Sequence, residues 1–317
     1  MRVLAFLAAL LCAGSAAAQQ HGAKIHFYTR NPSGPTEMLA GGGALHPIFG
    51  WLSIPEGGQA RKPAMVIMHG SGGIRDGREH AWAARLNAMG IATFVVDSFT
   101  DRGIAITADD QSRLSLPASV LDAFRALDRL STHPNIDPAR IGVIGFSKGG
   151  QVALYSALEP LRRAGVEGDL RFALHIALYP SCSVPYRSRE VTKAPMLFLL
   201  GGADDYTPAA HCARYAEFFR SNGAPVTSLT LPGAHHGFDL PGRPQPLARV
   251  QTARNCGLDI ELDPVMGRRW DGTEVADIPA YLRECMRRGA TMGGNLEARD
   301  KAIEAVKDAV TRWLKPG

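Results

Sequence analysis

The chain has 317 residues, 45% of them hydrophobic, and 35 Lys and Arg against 30 Asp and Glu give a net charge of +5. That is ample apolar material for a large core, and α/β folds of this length often form one domain. The basic residues are spread along the chain without clusters, which argues against a nucleic-acid partner and reads as surface solubility.

At the N-terminus, Arg2, an apolar run over residues 3–12 and Ala16-Ala17-Ala18 before Gln19 read as a cleavable signal peptide over residues 1–18. The run is too short and alanine-rich for a stable membrane anchor. The expected mature chain, 19–317, is periplasmic or secreted. Strand-like runs follow at 24–28, 47–54, 64–68, 91–96, 141–146, 172–178, 196–200 and 226–231. The middle ones are continuous apolar stretches, as expected of parallel strands covered on both faces. Helical patterns separate them. Pro117 opens one with Val120, Leu121, Phe124, Leu127 and Leu130 as its stripe, and a second covers 148–158. The last places Ile303, Val306, Val310, Trp313 and Leu314 on one face. This alternation predicts an α/β fold, a doubly wound and mostly parallel sheet flanked by helices, in a single domain. Two stretches carry no clear element, 98–116 and 241–295. The longer one reads as an insertion packed near the rim of the site and stapled by its cysteines.

Four cysteines remain after signal removal: Cys182, Cys212, Cys256 and Cys285. An even number in an exported chain suggests two disulfides, of which three pairings are possible. Keeping each bridge local favours Cys182 with Cys212 and Cys256 with Cys285, with free buried thiols as the alternative. No Cys or His spacing matches a metal motif, so no metal is expected.

The chemistry gathers at the ends of strands. Gly145-Phe146-Ser147-Lys148-Gly149 follows an apolar strand, and a serine flanked by glycines there can stand clear of the sheet on a strained turn. Downstream come the acidic loop after 196–200, with Asp204 and Asp205, and the loop after 226–231, with His235 and His236. Ser, then Asp, then His is the chain order of α/β-hydrolases. His236 is the preferred base because a glycine follows it, and Asp204 the preferred acid because it lies nearer its strand. The backbone amides of Ser71, in His69-Gly70-Ser71-Gly72-Gly73, and of Lys148 are the expected oxyanion donors.

These stretches, with Gly202-Ala203-Asp204-Asp205-Tyr206-Thr207-Pro208 and Pro232-Gly233-Ala234-His235-His236-Gly237-Phe238, resemble the dienelactone hydrolase family over about residues 47–313. The resemblance implies an eight-stranded α/β-hydrolase fold, no cofactor, and hydrolysis of a small-molecule ester or lactone. Ser147, Asp204 and His236 would take the triad roles, and Ser71 and Lys148 the oxyanion amides. The name-giving enzymes carry a cysteine where this chain has Ser147, and a glutamate where it has Gly70, which argues against dienelactone itself as substrate. Arg102 falls roughly where the family binds the substrate carboxylate; a surface arginine paired with Asp101 or Asp109 is the other reading. A peptidase or acyltransferase on the same fold, or a non-catalytic periplasmic binding protein, are the rival functions.

Overall fold

The computed structural model describes residues 22–58 and 61–316; the expected signal peptide at 1–18 lies outside them. Nine strands lead up to the second of the two stretches without a sequence pattern: β1 Ala23–Asn31, β2 Ala44–Ser53, β3 Lys62–Met68, β4 Ala92–Asp97, β5 Ile136–Phe146, β6 Leu174–Leu178, β7 Tyr186–Arg187, β8 Met196–Gly201 and β9 Val226–Leu231. Eight of them, all but the short β7, form one sheet in the order β1-β2-β4-β3-β5-β6-β8-β9. These are the eight strands read from the sequence. The first two junctions are antiparallel and the remaining five parallel. Some strands begin earlier than their apolar runs. β2 extends back to Ala44 because it pairs along the whole of β1, and β5 reaches Ile136 across an irregularity opposite Lys62 and Ala64.

Alternation along the buried strands divides the core into two layers, since successive side chains leave opposite faces of a sheet. Val66, Val143 and Phe198 face one layer with the helices Leu116–Ser131 and Lys148–Tyr155. Met65, Ile67, Ile144 and Leu199 face the other with Trp82 and the helix Leu296–Trp313. The first of these helices has Pro117 in its opening turn, and the Ser115 side chain accepts from Ala118 N, a cap worth about 1 kcal/mol. The helix expected over 148–158 stops at Tyr155, and a separate helix starts at Glu159.

The stretch 241–295 has more structure than its sequence pattern suggests. It holds β10 Gln245–Thr252, β11 Leu258–Leu262, β12 Val265–Arg269, β13 Glu274–Val275, the helix Ile278–Cys285 and β14 Arg287–Met292. β10 pairs with β14 across an irregularity, and β13-β12-β11 form a small sheet completed by β7 from the body. β10, β12 and β14 are mostly exposed or half exposed, and the buried β11 alternates apolar and acidic residues, so no continuous apolar run announces them. Of the three possible pairings the local one is present: Cys182–Cys212 with S–S 2.01 Å and Cys256–Cys285 with S–S 2.05 Å.

Candidate active site

The parallel strands β5, β8 and β9 all end at the same edge of the sheet, and the loops that follow them carry the candidate residues. Ser147 sits between β5 and its helix at φ 54° and ψ −112°, a backbone that a side-chain-bearing residue adopts only under constraint. Two close approaches make that turn possible. A Cβ on Gly145 would fall 1.9 Å from Gly149 O, and one on Gly149 would fall 2.1 Å from Met68 O. Strand, turn and helix can close this tightly only without those side chains.

Ser147 Oγ lies 2.9 Å from His236 Nε2, and His236 Nδ1 lies 2.9 Å from Asp204 Oδ2. A carboxylate can only accept, so the chemistry of the partners assigns Nδ1–H to Asp204 and leaves Nε2 to accept from the serine hydroxyl. The imidazole and carboxyl are both buried, while Ser147 is half buried and open to an incoming group. Asp204 also accepts from the Tyr206 and Thr207 amides at 2.9 and 2.8 Å, and Thr207 Oγ1 lies 2.8 Å from its Oδ2. These donors hold the carboxyl in one orientation. Gly237, after His236, has φ 70°, so the glycine that singled out His236 does turn the loop. His235 beside it is half buried, and among the described residues it is His236 that hydrogen-bonds both Ser147 and Asp204.

The Ser71 loop abuts the elbow: a Cβ on Gly70 would lie 3.4 Å from Ser147 Cβ. Among the described residues neither the Ser71 nor the Lys148 amide donates to another protein group, so both remain free for a ligand oxygen. The Lys148 amide also opens a helix, where unpaired N–H groups favour negative charge. Ser71 O accepts from Thr107 N, and its Oγ donates to Gln111 Oε1 at 3.1 Å. Thus 98–116, which carries no clear element in sequence, braces the Ser71 loop. Its only regular pieces are two short 3-10 turns, Thr100–Arg102 and Gln111–Arg113. The Lys148 side chain runs under this segment to the Gln111 and Leu114 carbonyls. Burial drives its pKa down to about 7, with the Arg102 charge adding and Asp110 opposing.

One expectation needs correction, and one residue a role. Arg102 is not offered to a ligand: its guanidinium grips Asp122 through two bonds of 2.7 and 2.8 Å, and also donates to Asn31 Oδ1 and Ser98 O. With both groups buried, the pair locks 98–116 onto the helix below, and the partner is neither Asp101 nor Asp109. Asp205, the acid not preferred, has a partner of its own. It accepts from Thr291 N at 2.7 Å, docking β14 onto the acid loop. Gly293 N donating to His236 O and Thr252 Oγ1 donating to Tyr206 O complete that contact, so the insertion does border the site.

Reading motifs for a nucleophile, base and acid misses Thr207, Tyr206 and Tyr179. The Tyr206 and Tyr179 rings lie 4.5 and 4.8 Å from the His236 ring. Tyr206 and Thr207 stood in the quoted acidic loop, where a hydroxyl two or three residues past a carboxylate is the only signal available. Tyr179 has none beyond following an apolar strand. No group of three or more His, Cys, Asp or Glu among the described residues is placed to hold a metal ion.

A model of the dienelactone hydrolase family matches residues 48–256. A Methylorubrum extorquens protein assigned provisionally as a carboxymethylenebutenolidase is 37% identical over 110 residues, covering 34% of this chain and 37% of that one. A provisional esterase, NocK, of Nocardia uniformis subsp. tsuyamanensis is 30% identical over 167 residues, covering 52% and 45%. The chain therefore spans less than half the length of either relative. A propionate-bound thermophilic esterase of Thermogutta terrifontis shares the α/β-hydrolase fold at TM-score 0.50 and 19% identity, over 62% of this chain and 82% of that one.

Proposed function

The chain belongs to the dienelactone hydrolase family, and we propose that it is a serine hydrolase cleaving a small carboxylic ester or lactone through an acyl-enzyme. The observation that carries this reading is the continuous line Ser147 Oγ, His236 and Asp204, each contact 2.9 Å. Ser147 Oγ attacks the carbonyl carbon while its proton passes to His236 Nε2. Asp204 steadies the imidazolium through Nδ1–H without taking that proton. The carbonyl oxygen gathers charge between the Ser71 and Lys148 amides, where fixed dipoles stabilise it with little reorganisation. Collapse expels the alcohol, which takes the proton from His236, and leaves an acyl group on Ser147. Water then attacks with His236 as base, releasing the acid and restoring the serine.

Hydrolysis of a panel of esters, lactones and acylated sugars, with intact-protein mass spectrometry during turnover, tests the proposal. Acid release with a transient acyl adduct supports it; acyl transfer to an added amine or alcohol without acid release, or no turnover, contradicts it. We propose also that the chain is exported, a reading supported by its N-terminal pattern and by two disulfides, which persist in oxidising compartments. Expressed with its leader in a bacterial host, the mature protein should begin at or near Gln19. An uncleaved cytoplasmic product would contradict export.

A further inference from the structure

Among the described residues only Ser147, Tyr179 and Lys315 combine a side chain with a positive φ. Lys315 lies near the chain end, whereas Ser147 and Tyr179 lie on adjacent strand ends of the site. Tyr179 follows β6 at φ 38°, an uncommon backbone for a bulky residue. Such a conformation persists only where the surroundings over-determine it, and it clusters at functional sites. What holds Tyr179 is therefore informative.

Its amide donates to Leu199 O at 2.8 Å, and its hydroxyl donates to Asp239 Oδ1. The other carboxyl oxygen, Oδ2, accepts from Trp82 Nε1 at 2.8 Å. Asp239 stands three residues after His236 on the same loop, so Tyr179 is tied by its hydroxyl to the segment that carries the base. The Tyr179 ring meets the His236 ring edge-on at 4.8 Å and the Phe238 ring at 5.0 Å, while Tyr206 takes another side of the imidazole at 4.5 Å. Tyr179 O lies 3.1 Å from Thr207 Oγ1, the hydroxyl that also reaches Asp204 Oδ2. Tyr179 thus meets the base directly and the acid through Thr207. Nearby, Arg78 pairs with Glu79 at 2.7 Å, both buried. Burial pushes the Asp239 carboxyl above its usual range, although the nearby Arg78 charge and the Tyr179 and Trp82 donors oppose this.

We propose that Tyr179 and Asp239 act as a positioning pair for the triad: Asp239 fixes the tyrosine, whose ring and carbonyl hold His236 and Thr207 in line with Ser147. The proposal rests on Ser147 being the nucleophile. The pair touches no reacting atom, so its loss should slow the chemical step and leave substrate binding nearly unchanged.

The test is steady-state kinetics of the full protein with Tyr179→Phe, Asp239→Ala, Asp239→Asn and the double variant Tyr179→Phe/Asp239→Ala, on one ester that the wild type turns over. Tyr179→Phe keeps the ring and loses the hydroxyl. We expect kcat to fall roughly 10- to 100-fold in Tyr179→Phe and Asp239→Ala, with KM within about threefold of wild type. The double variant should be no worse than the poorer single one, because partners in one linkage are not additive. Asp239→Asn retains an acceptor for one of its two donors, and should recover much of the loss. A wild-type kcat in Tyr179→Phe, a change confined to KM, or losses that multiply in the double variant would overturn the pair. Fluorophosphonate labelling separates this failure from that of the site itself. If the wild type is not labelled at Ser147, both readings fall; if it is labelled and Tyr179→Phe is kinetically unchanged, the pair alone falls.

Discussion

The sheet that carries Ser147, Asp204 and His236 and the insertion beside it are built differently. β3, β4, β6 and β8 are buried at every position, between helices on both faces. β10 leaves most of its residues exposed or half exposed and pairs mainly with β14. The sheet places side chains by packing over many residues. The insertion meets the site through polar ties, among them Asp205 to Thr291, Gln251 to Gln111 and Thr252 to Tyr206, and through a small apolar cluster of Tyr206, Val250 and Ala290, while Leu258, Ile260 and Leu262 of β11 join the main core. Precision of the reacting groups should therefore depend on the sheet and its loops, and the insertion should shape the border of the site.

The two adjacent doublets test that division most strongly, because one member of each lies on the hydrogen-bonded line from Ser147 through His236 to Asp204. His236→Ala or Asp204→Asn should lower kcat/KM by about a thousandfold or more, the scale on which triad members act. His235→Ala and Asp205→Asn should cost less than about tenfold, since Asp205 serves only the docking of β14. Ester kinetics of the four variants read this out. If Asp205→Asn matched Asp204→Asn, the insertion would be part of the catalytic framework.

A smaller effect compares the two disulfides. They span nearly equal separations, 30 and 29 residues, so loop entropy alone gives each about 3–4 kcal/mol. Urea unfolding of the paired Ser variants should show similar losses. Kinetics should differ. Cys212 lies in the helix after the acid loop, so losing Cys182–Cys212 should also lower kcat, whereas losing Cys256–Cys285 should leave it nearly intact. Equal kinetic losses would erase the distinction.

A further effect lies under the 98–116 segment. Lys148 has a folded pKa of about 7 against an ordinary 10.5, so between these values the unfolded chain binds more protons and stability rises with pH. The cost of burying the charge is full below about pH 7 and gone above the unfolded value. Lys148→Met should therefore gain stability over wild type at pH 6, and the gain should shrink by pH 9. A pH-independent difference in urea midpoint would show that the ammonium is not desolvated as described.

The same contrast explains what the sequence makes legible. The central strands, covered on both faces, show as continuous apolar runs, the partly exposed β1, β2 and β9 still carry enough apolar residues to be read as strands, and the loops at the strand ends carry Ser147, Asp204 and His236. Most strands of the insertion are half exposed or exposed, and Leu258–Leu262, although largely buried, is interrupted by Asp259 and Glu261, so their pattern merges with loop. Arg102 went astray for a related reason: a lone arginine in a polar loop carries no mark of the buried Asp122 it will meet 20 residues later. Tyr179 was invisible because its role depends on Asp239, which only the fold brings to its hydroxyl.

The central claim is that Ser147, activated by His236, is the nucleophile. Its most direct test is to label the folded protein with a fluorophosphonate probe and map the modified peptide by mass spectrometry. The account predicts one adduct, on Ser147, absent in Ser147→Ala and strongly slowed in His236→Ala, with circular dichroism of both variants unchanged. Labelling of a different serine, or undiminished labelling and ester turnover in Ser147→Ala, would contradict it.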